Sequence, residues 1–86
     1  MKISVELTLS PLQDDFESSI VHFIKKLRAS GLKVKENPLS TQVYGDYDEV
    51  MKVLNAEIKE AFELIENGVM AVKIVKTDRY DYDPDF

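Results

Sequence analysis

The stretch Ile3-Ser4-Val5-Glu6-Leu7-Thr8-Leu9-Ser10 sets an aliphatic residue at every odd position and a polar one at every even position. Successive strand side chains point to opposite faces, so this period of two buries one face and wets the other. A strand wetted on one side fits an antiparallel sheet covered by helices on a single face. The rest of the chain must therefore supply helices for that face and further strands for the edges.

Pro11 helps to end this strand. From about Asp14 to Ser30 the apolar residues Phe16, Ile20, Phe23, Ile24 and Leu27 recur at intervals of three and four, which predicts an amphipathic helix. Asp14 or Asp15 is placed to cap its first amides. Glu17 favours the positive end of its dipole, Lys25, Lys26 and Arg28 the negative end, and Gly31 is the natural stop. Leu32 and Val34 then alternate with Lys33 and Lys35 as a short charged strand of the kind that tolerates a sheet edge. Asn37-Pro38 supplies a turn. The next strand is expected over Leu39 to Tyr44, with Leu39, Thr41 and Val43 on one face and Ser40, Gln42 and Tyr44 on the other, broken by Gly45.

Asp46-Tyr47-Asp48-Glu49 fits a capping box, in which Asp46 accepts an amide bond and Glu49 reaches back. The helix it starts aligns Val50, Val53, Leu54, Ile58, Ala61, Phe62 and Ile65 on one stripe and ends at Asn67-Gly68. Val69 to Lys76 forms a last strand. The order β-α-β-β-α-β predicts an α+β, ferredoxin-like sandwich, a four-stranded antiparallel sheet with two helices on one face and right-handed crossovers. Its polar face carries Ser4, Glu6, Thr8, Gln42 and Tyr44, and such a face must meet water, a ligand or another subunit.

The 86 residues make one domain, expected over residues 1–76, followed by an acidic, aromatic tail over residues 77–86. The tail mixes Asp78, Asp81, Asp83 and Asp85 with Tyr80, Tyr82 and Phe86; it reads either as a solvated segment or as one that docks its rings on a neighbouring subunit. A chain this short buries a small fraction of its surface, so self-association is expected. At 44% hydrophobic and 31% charged residues the composition is that of a soluble globular protein. The absence of cysteine excludes disulfides, thiol catalysis and zinc-thiolate sites, and suits a reducing cytoplasm. A net charge of -5 argues against nucleic acid, which needs clustered Lys and Arg, and favours a cationic ligand. The start of the chain has no charged leader and long apolar run, so an unprocessed chain without membrane association is expected.

Two polar constellations remain. Asp14 and Asp15 diverge by roughly 100° if both lie on a helix, so one is free to cap while the other faces a pocket and binds an amino group or cation. The cap alone is the competing reading, worth on the order of 1 kcal/mol. Ser40 and Thr41 offer two hydroxyls, but consecutive strand residues face opposite sides, and sharing one pocket requires a bulge after Pro38. His22 beside Val21 and Phe23 reads as a half-exposed helix residue, with no second histidine for a metal and no triad spacing. Tyr44 and Tyr47 are placed either to stack on a ring or cation or to serve as ordinary strand and interface residues. The loop Pro11-Leu12-Gln13-Asp14-Asp15 has no glycine, no arginine and two acids, which excludes a phosphate cradle.

The segment Leu9-Ser10-Pro11-Leu12-Gln13-Asp14-Asp15-Phe16, followed by Pro38-Leu39-Ser40-Thr41-Gln42-Val43-Tyr44-Gly45-Asp46, resembles the YkoF-type thiamine/hydroxymethylpyrimidine-binding family, also called the thiamine-binding protein family. The likeness covers the domain from first strand to last, with the tail after Lys76 outside it. Ser10 departs from the family pattern, where an aromatic is common. The resemblance implies a non-enzymatic, cofactor-free protein that binds thiamine or its pyrimidine moiety, with no nucleic-acid or membrane partner. It also implies ferredoxin-like units that associate through sheet faces and edges into homodimers or homotetramers. By motif match the ligand-binding residues are Asp14 or Asp15 with Ser40 and Thr41; Phe16 matches the aromatic position but also falls on the helix's apolar stripe. Ser10 and Tyr44 complete the candidate set.

Overall fold

In the computed structural model, residues 1–84 are described. They form β1 (Lys2–Pro11), α1 (Glu17–Arg28), β2 (Lys33–Glu36), β3 (Thr41–Asp46), α2 (Tyr47–Glu63) and β4 (Gly68–Val75). The strands make one antiparallel sheet in the order β2-β3-β1-β4, so β1 and β3 are central and β2 and β4 are edges. This is the ferredoxin-like α+β fold expected from the order of elements. Ile3, Val5, Leu7 and Leu9 of β1 are buried with Val43, and Phe23, Leu27, Val50 and Leu54 of the helices close over them.

Local chemistry departs from expectation at the helix starts. α1 begins at Glu17 rather than near Asp14, and neither aspartate caps it: its N-cap, Phe16, has helical backbone angles and no side-chain cap bond. Asp15 Oδ2 instead accepts from Ser18 Oγ at 3.1 Å, while the Gln13 amide donates to the Asp15 carbonyl at 2.9 Å. The loop is held at its other end, where Leu12 N donates to Asn67 O at 2.9 Å. The capping box at Asp46 is likewise not formed, since Asp46 makes no side-chain cap bond. It lies 3.4 Å from Lys2 Nζ on the paired strand, and Tyr47 N donates to Met1 O at 2.8 Å. A cross-strand cation and carbonyl have taken the partners that a local cap would use.

Gly45 does not break β3, which runs through it to Asp46. Its φ of 157° is reached by few side-chain-bearing residues, and a Cβ there would lie 3.3 Å from Val50 Cγ2. Glycine thus lets the first turn of α2 close onto the strand. At the other end β3 starts at Thr41, and Leu39 is left exposed rather than packed in the strand. Phe16, expected on the core stripe of α1, is 47% exposed because the helix starts after it.

The C-terminal segment packs on its own chain. It crosses the polar face of its own sheet as a strap: Ser4 Oγ donates to Thr77 O at 2.7 Å and accepts from Arg79 N at 2.8 Å. The Tyr80 ring meets Tyr44 edge-on, with centroids 5.2 Å apart and planes at 85°. Phe86 and Asp85 lie outside the described residues.

Candidate functional site

The register places Ser4, Glu6, Thr8 and Ser10 of β1 and Gln42 and Tyr44 of β3 on the side of the sheet away from the helices. The strap covers one end of this face, so that Ser4 and Tyr44 are 7% and 8% exposed. Burial pushes the Tyr44 hydroxyl above the usual phenol range, and the nearby Asp78, Glu6 and Tyr80 add to the shift. The other end is open. There Gln42 Nε2 donates to Ser40 Oγ at 2.7 Å and Ser40 Oγ donates to Glu6 Oε2 at 3.1 Å. One hydroxyl thus links an amide to a carboxylate and fixes the orientation of both.

Beside this chain of hydrogen bonds the sheet opens into a notch. β3 leaves β1 at the Leu7↔Thr41 pair, whereas β1 runs on to Pro11. The turn over residues 37–40 swings across the gap, with the Asn37 side chain accepting from Leu39 N and Ser40 N at 2.8 and 3.0 Å. The cavity between this turn, residues 7–9 of β1 and Ile20, Phe23 and Ile24 of α1 measures about 140 Å³. That is below the range of about 300–1,000 Å³ for drug-sized pockets, and suits a single ring. Its walls are mostly apolar, with the polar groups of Thr8, Asn37, Ser40 and Thr41 at intervals around it.

Ser40 and Thr41 therefore meet in one cavity without a bulge. Both line the notch because Ser40 precedes the strand and Thr41 is its first, buried residue, while the pairing of β3 with β1 and β2 continues unbroken. The other candidate residues lie around rather than in the notch. Ser10 is exposed on the polar face opposite Val69, near the far end of β1. Asp14, Asp15 and Phe16 are exposed on the loop that follows, tied to the α2–β4 turn by Gln13 and Leu12 rather than to Ser40. Tyr44 is at the strap end. His22 is in the helical layer, its Nε2 3.7 Å from Glu60 Oε1.

A family model described as thiamine-binding protein matches residues 5–84. The chain belongs to the thiamine-binding protein family. Solved structures with the same fold include a Streptococcus pneumoniae protein, 26% identical, with a TM-score of 0.83 over 91% of this chain and 89% of that one. A Thermotoga maritima protein, provisionally described as a thiamine biosynthesis/salvage protein, is 22% identical, with a TM-score of 0.81 over 90% and 85% of the two chains. A hypothetical protein of Methanocaldococcus jannascii is 23% identical, with a TM-score of 0.76 over 95% and 84%. No curated protein matches the sequence significantly.

Glu6 and Gln42 are among the polar residues that motif reading leaves out of the candidate set. Their signal was alternation: both fall on the wet face of a central strand. The hydrogen bonds to Ser40 show which of the wet-face residues act together. Among the described residues no three His, Cys, Asp or Glu side chains gather as a metal site, and no helix is long and apolar enough to cross a membrane.

Proposed function

We propose that this protein is a non-catalytic, cytoplasmic binding protein for thiamine or its hydroxymethylpyrimidine moiety, and that the ligand's pyrimidine ring enters the notch beside Ser40. The observation that carries this reading is the Gln42 to Ser40 to Glu6 chain at the mouth of a one-ring cavity. An aminopyrimidine presents ring-nitrogen acceptors and an exocyclic amino donor. Thr41 supplies a hydroxyl for the former, and the Glu6 carboxylate accepts from the latter or faces the thiazolium cation. Ser10, Asp14, Asp15 and Phe16 stand beyond the notch along β1 and its loop, where the two acids add to the negative field that draws a cation. Tyr44 and the strap cover the opposite end of the polar face. The family match and the provisional description of the Thermotoga maritima protein support the choice of ligand. His22 lies across the sheet from this face, beside Glu60.

The reading includes self-association. Of the two sheet edges, β2 is guarded by Lys33, Lys35 and Glu36, whereas β4 carries exposed Val69, Val72 and Ile74. Between β4 and α2 lies an apolar groove of about 690 Å³, with Phe62 and Val72 in its walls and Lys59 and Glu63 on its rim. It has few convergent polar groups to orient a small ligand. A two-fold copy would meet the rim's cation with an acid and its acid with a cation, so the occupant assigned here is a second copy of this chain. The alternative, an assembly module with no small-molecule ligand, draws on the same groove.

Calorimetric titration with thiamine and with hydroxymethylpyrimidine tests the ligand. Heat is expected with both, and Ser40→Ala is expected to weaken both by about tenfold, since it breaks two hydrogen bonds at the mouth of the notch. Absence of both heat and thermal shift at millimolar ligand would refute small-molecule binding and leave the assembly reading.

A further inference from the structure

Lys35, Gln42, Glu6 and Lys73 form one row across β2, β3, β1 and β4, on the polar face of the sheet, with Lys73 directly opposite Glu6. Two strand spacings, about 10 Å, separate Lys35 from Glu6. A lysine and a glutamate leaning toward each other can close such a gap, and an ion pair there would spend the Glu6 carboxylate on an internal cation. The structure holds the lysines elsewhere. Lys33 Nζ and Lys35 Nζ sit 4.8 and 4.2 Å from the centre of the Tyr80 ring, and Lys35 Nζ also donates to the Tyr80 carbonyl. Among the described residues Glu6 joins no ion pair, and its hydrogen bond comes from neutral Ser40.

Tyr80 is able to hold two ammonium groups because the strap is pinned immediately before it. Ser4 anchors Thr77 and Arg79, and Asp78 Oδ1 accepts from Tyr80 N at 2.9 Å. Tyr44 supports the ring edge-on, which leaves ring surface for cations. We propose that Tyr80 is a positioning residue: it keeps Lys33 and Lys35 at the β2 edge, so that the Glu6 carboxylate stays free to meet the positive charge of the ligand. The inference rests on the reading of Glu6 as the carboxylate that faces the thiazolium cation of thiamine. It assigns a binding role to the C-terminal strap, which touches no part of the notch.

The test pairs a cationic probe, thiamine, with an uncharged one, hydroxymethylpyrimidine, on the full chain. Tyr80→Ala is expected to weaken thiamine about threefold to fivefold, the size of a partly exposed ion pair, and to change hydroxymethylpyrimidine by less than about twofold. Adding Lys33→Ala and Lys35→Ala to Tyr80→Ala is expected to restore thiamine binding, because the two lysines that Tyr80 releases are gone, while Lys73 stands opposite Glu6 in every variant alike. Tyr80→Leu, which keeps apolar bulk against Tyr44, is the companion variant and is expected to behave alike. A readout without ligand is the ring-current shift of the Lys33 and Lys35 ε-protons, expected in the wild-type chain and absent in Tyr80→Ala. Wild-type thiamine affinity in Tyr80→Ala would overturn the inference, as would a loss that the lysine substitutions fail to restore. If the wild-type chain binds both probes in those cases, only the role of Tyr80 falls; if it binds neither, the Glu6 reading falls first.

Discussion

Ser40 shows how much one position depends on where a strand begins. Its side chain bridges Gln42 and Glu6 on the polar face and also lines the notch, because it stands one residue before β3. The sequence made Ser40 and Thr41 visible as a pair of hydroxyls, and alternation correctly set them on opposite faces. Where β3 would part from β1 was not legible, since that depends on the length of the 37–40 turn and on how far β1 extends. Asp14 and Asp15 are the converse case. Consecutive acids before a helix resemble a cap, but the Asp15 carboxylate is engaged by Ser18 Oγ and the first amides of α1 have no side-chain acceptor at the N-cap. Asp15→Asn is therefore expected to change stability by less than about 0.5 kcal/mol, as for a surface substitution, rather than by the roughly 1 kcal/mol of a lost cap. Urea denaturation of the two proteins measures the difference, and a shift of cap size would show that Asp15 serves the helix after all.

At the scale of elements, periodicity located both helices and all four strands, because each buries a face whose repeat is written in aliphatic residues. What periodicity does not carry is how a helix end is fastened to the sheet. α1 and β2 are tied by Arg28 and Glu36, with Nε to Oε2 at 2.5 Å and Nη2 to Oε1 at 2.6 Å. The pair joins the last residue of α1 to the last of β2 across the Gly31 turn, a contact between two elements that neither element's own repeat predicts. The hydrogen bonds from Arg28 hold the Glu36 carboxyl below its ordinary value of 4.5. A carboxyl depressed in the folded state stabilises the fold above its unfolded pKa, and that contribution disappears as pH falls through the folded one. Thermal melts of the wild-type chain and Glu36→Gln should thus differ most near neutral pH and converge as pH drops below about 4.5 toward the depressed value. A gap that stays constant down through that range would mean that Glu36 contributes by packing rather than by charge.

At the scale of the molecule, the two edges of the sheet have been treated differently, and the difference was already written in the chain as Lys33-Val34-Lys35-Glu36 against Val69-Met70-Ala71-Val72. The first presents charge to any strand that approaches, whereas the second presents aliphatic groups, with Lys73 as the one charge on β4, and an unpaired row of backbone donors and acceptors. Val72 and Ile74 remain 44% and 48% exposed although they point toward the helical side of the sheet, because α2 leaves the groove beside them unfilled. The strap covers one end of the polar face, so pairing along β4 leaves the notch and Glu6 accessible in a way that stacking face to face would not. A dimer joined at β4 should sediment and scatter as twice the 9.9 kDa chain at micromolar concentration, and its melting temperature should rise with concentration, since association stabilises only the folded form. Val72→Lys sets a charge in the groove wall and is expected to yield the monomer with a lower, concentration-independent melting temperature. Thiamine affinity should change little, because the notch is built from residues 7–9, α1, the turn before β3 and Thr41, with no residue of β4 or α2. A wild-type chain that scatters as a monomer over that range would refute pairing along β4. A Val72→Lys monomer that loses thiamine binding would show instead that the second copy completes the site.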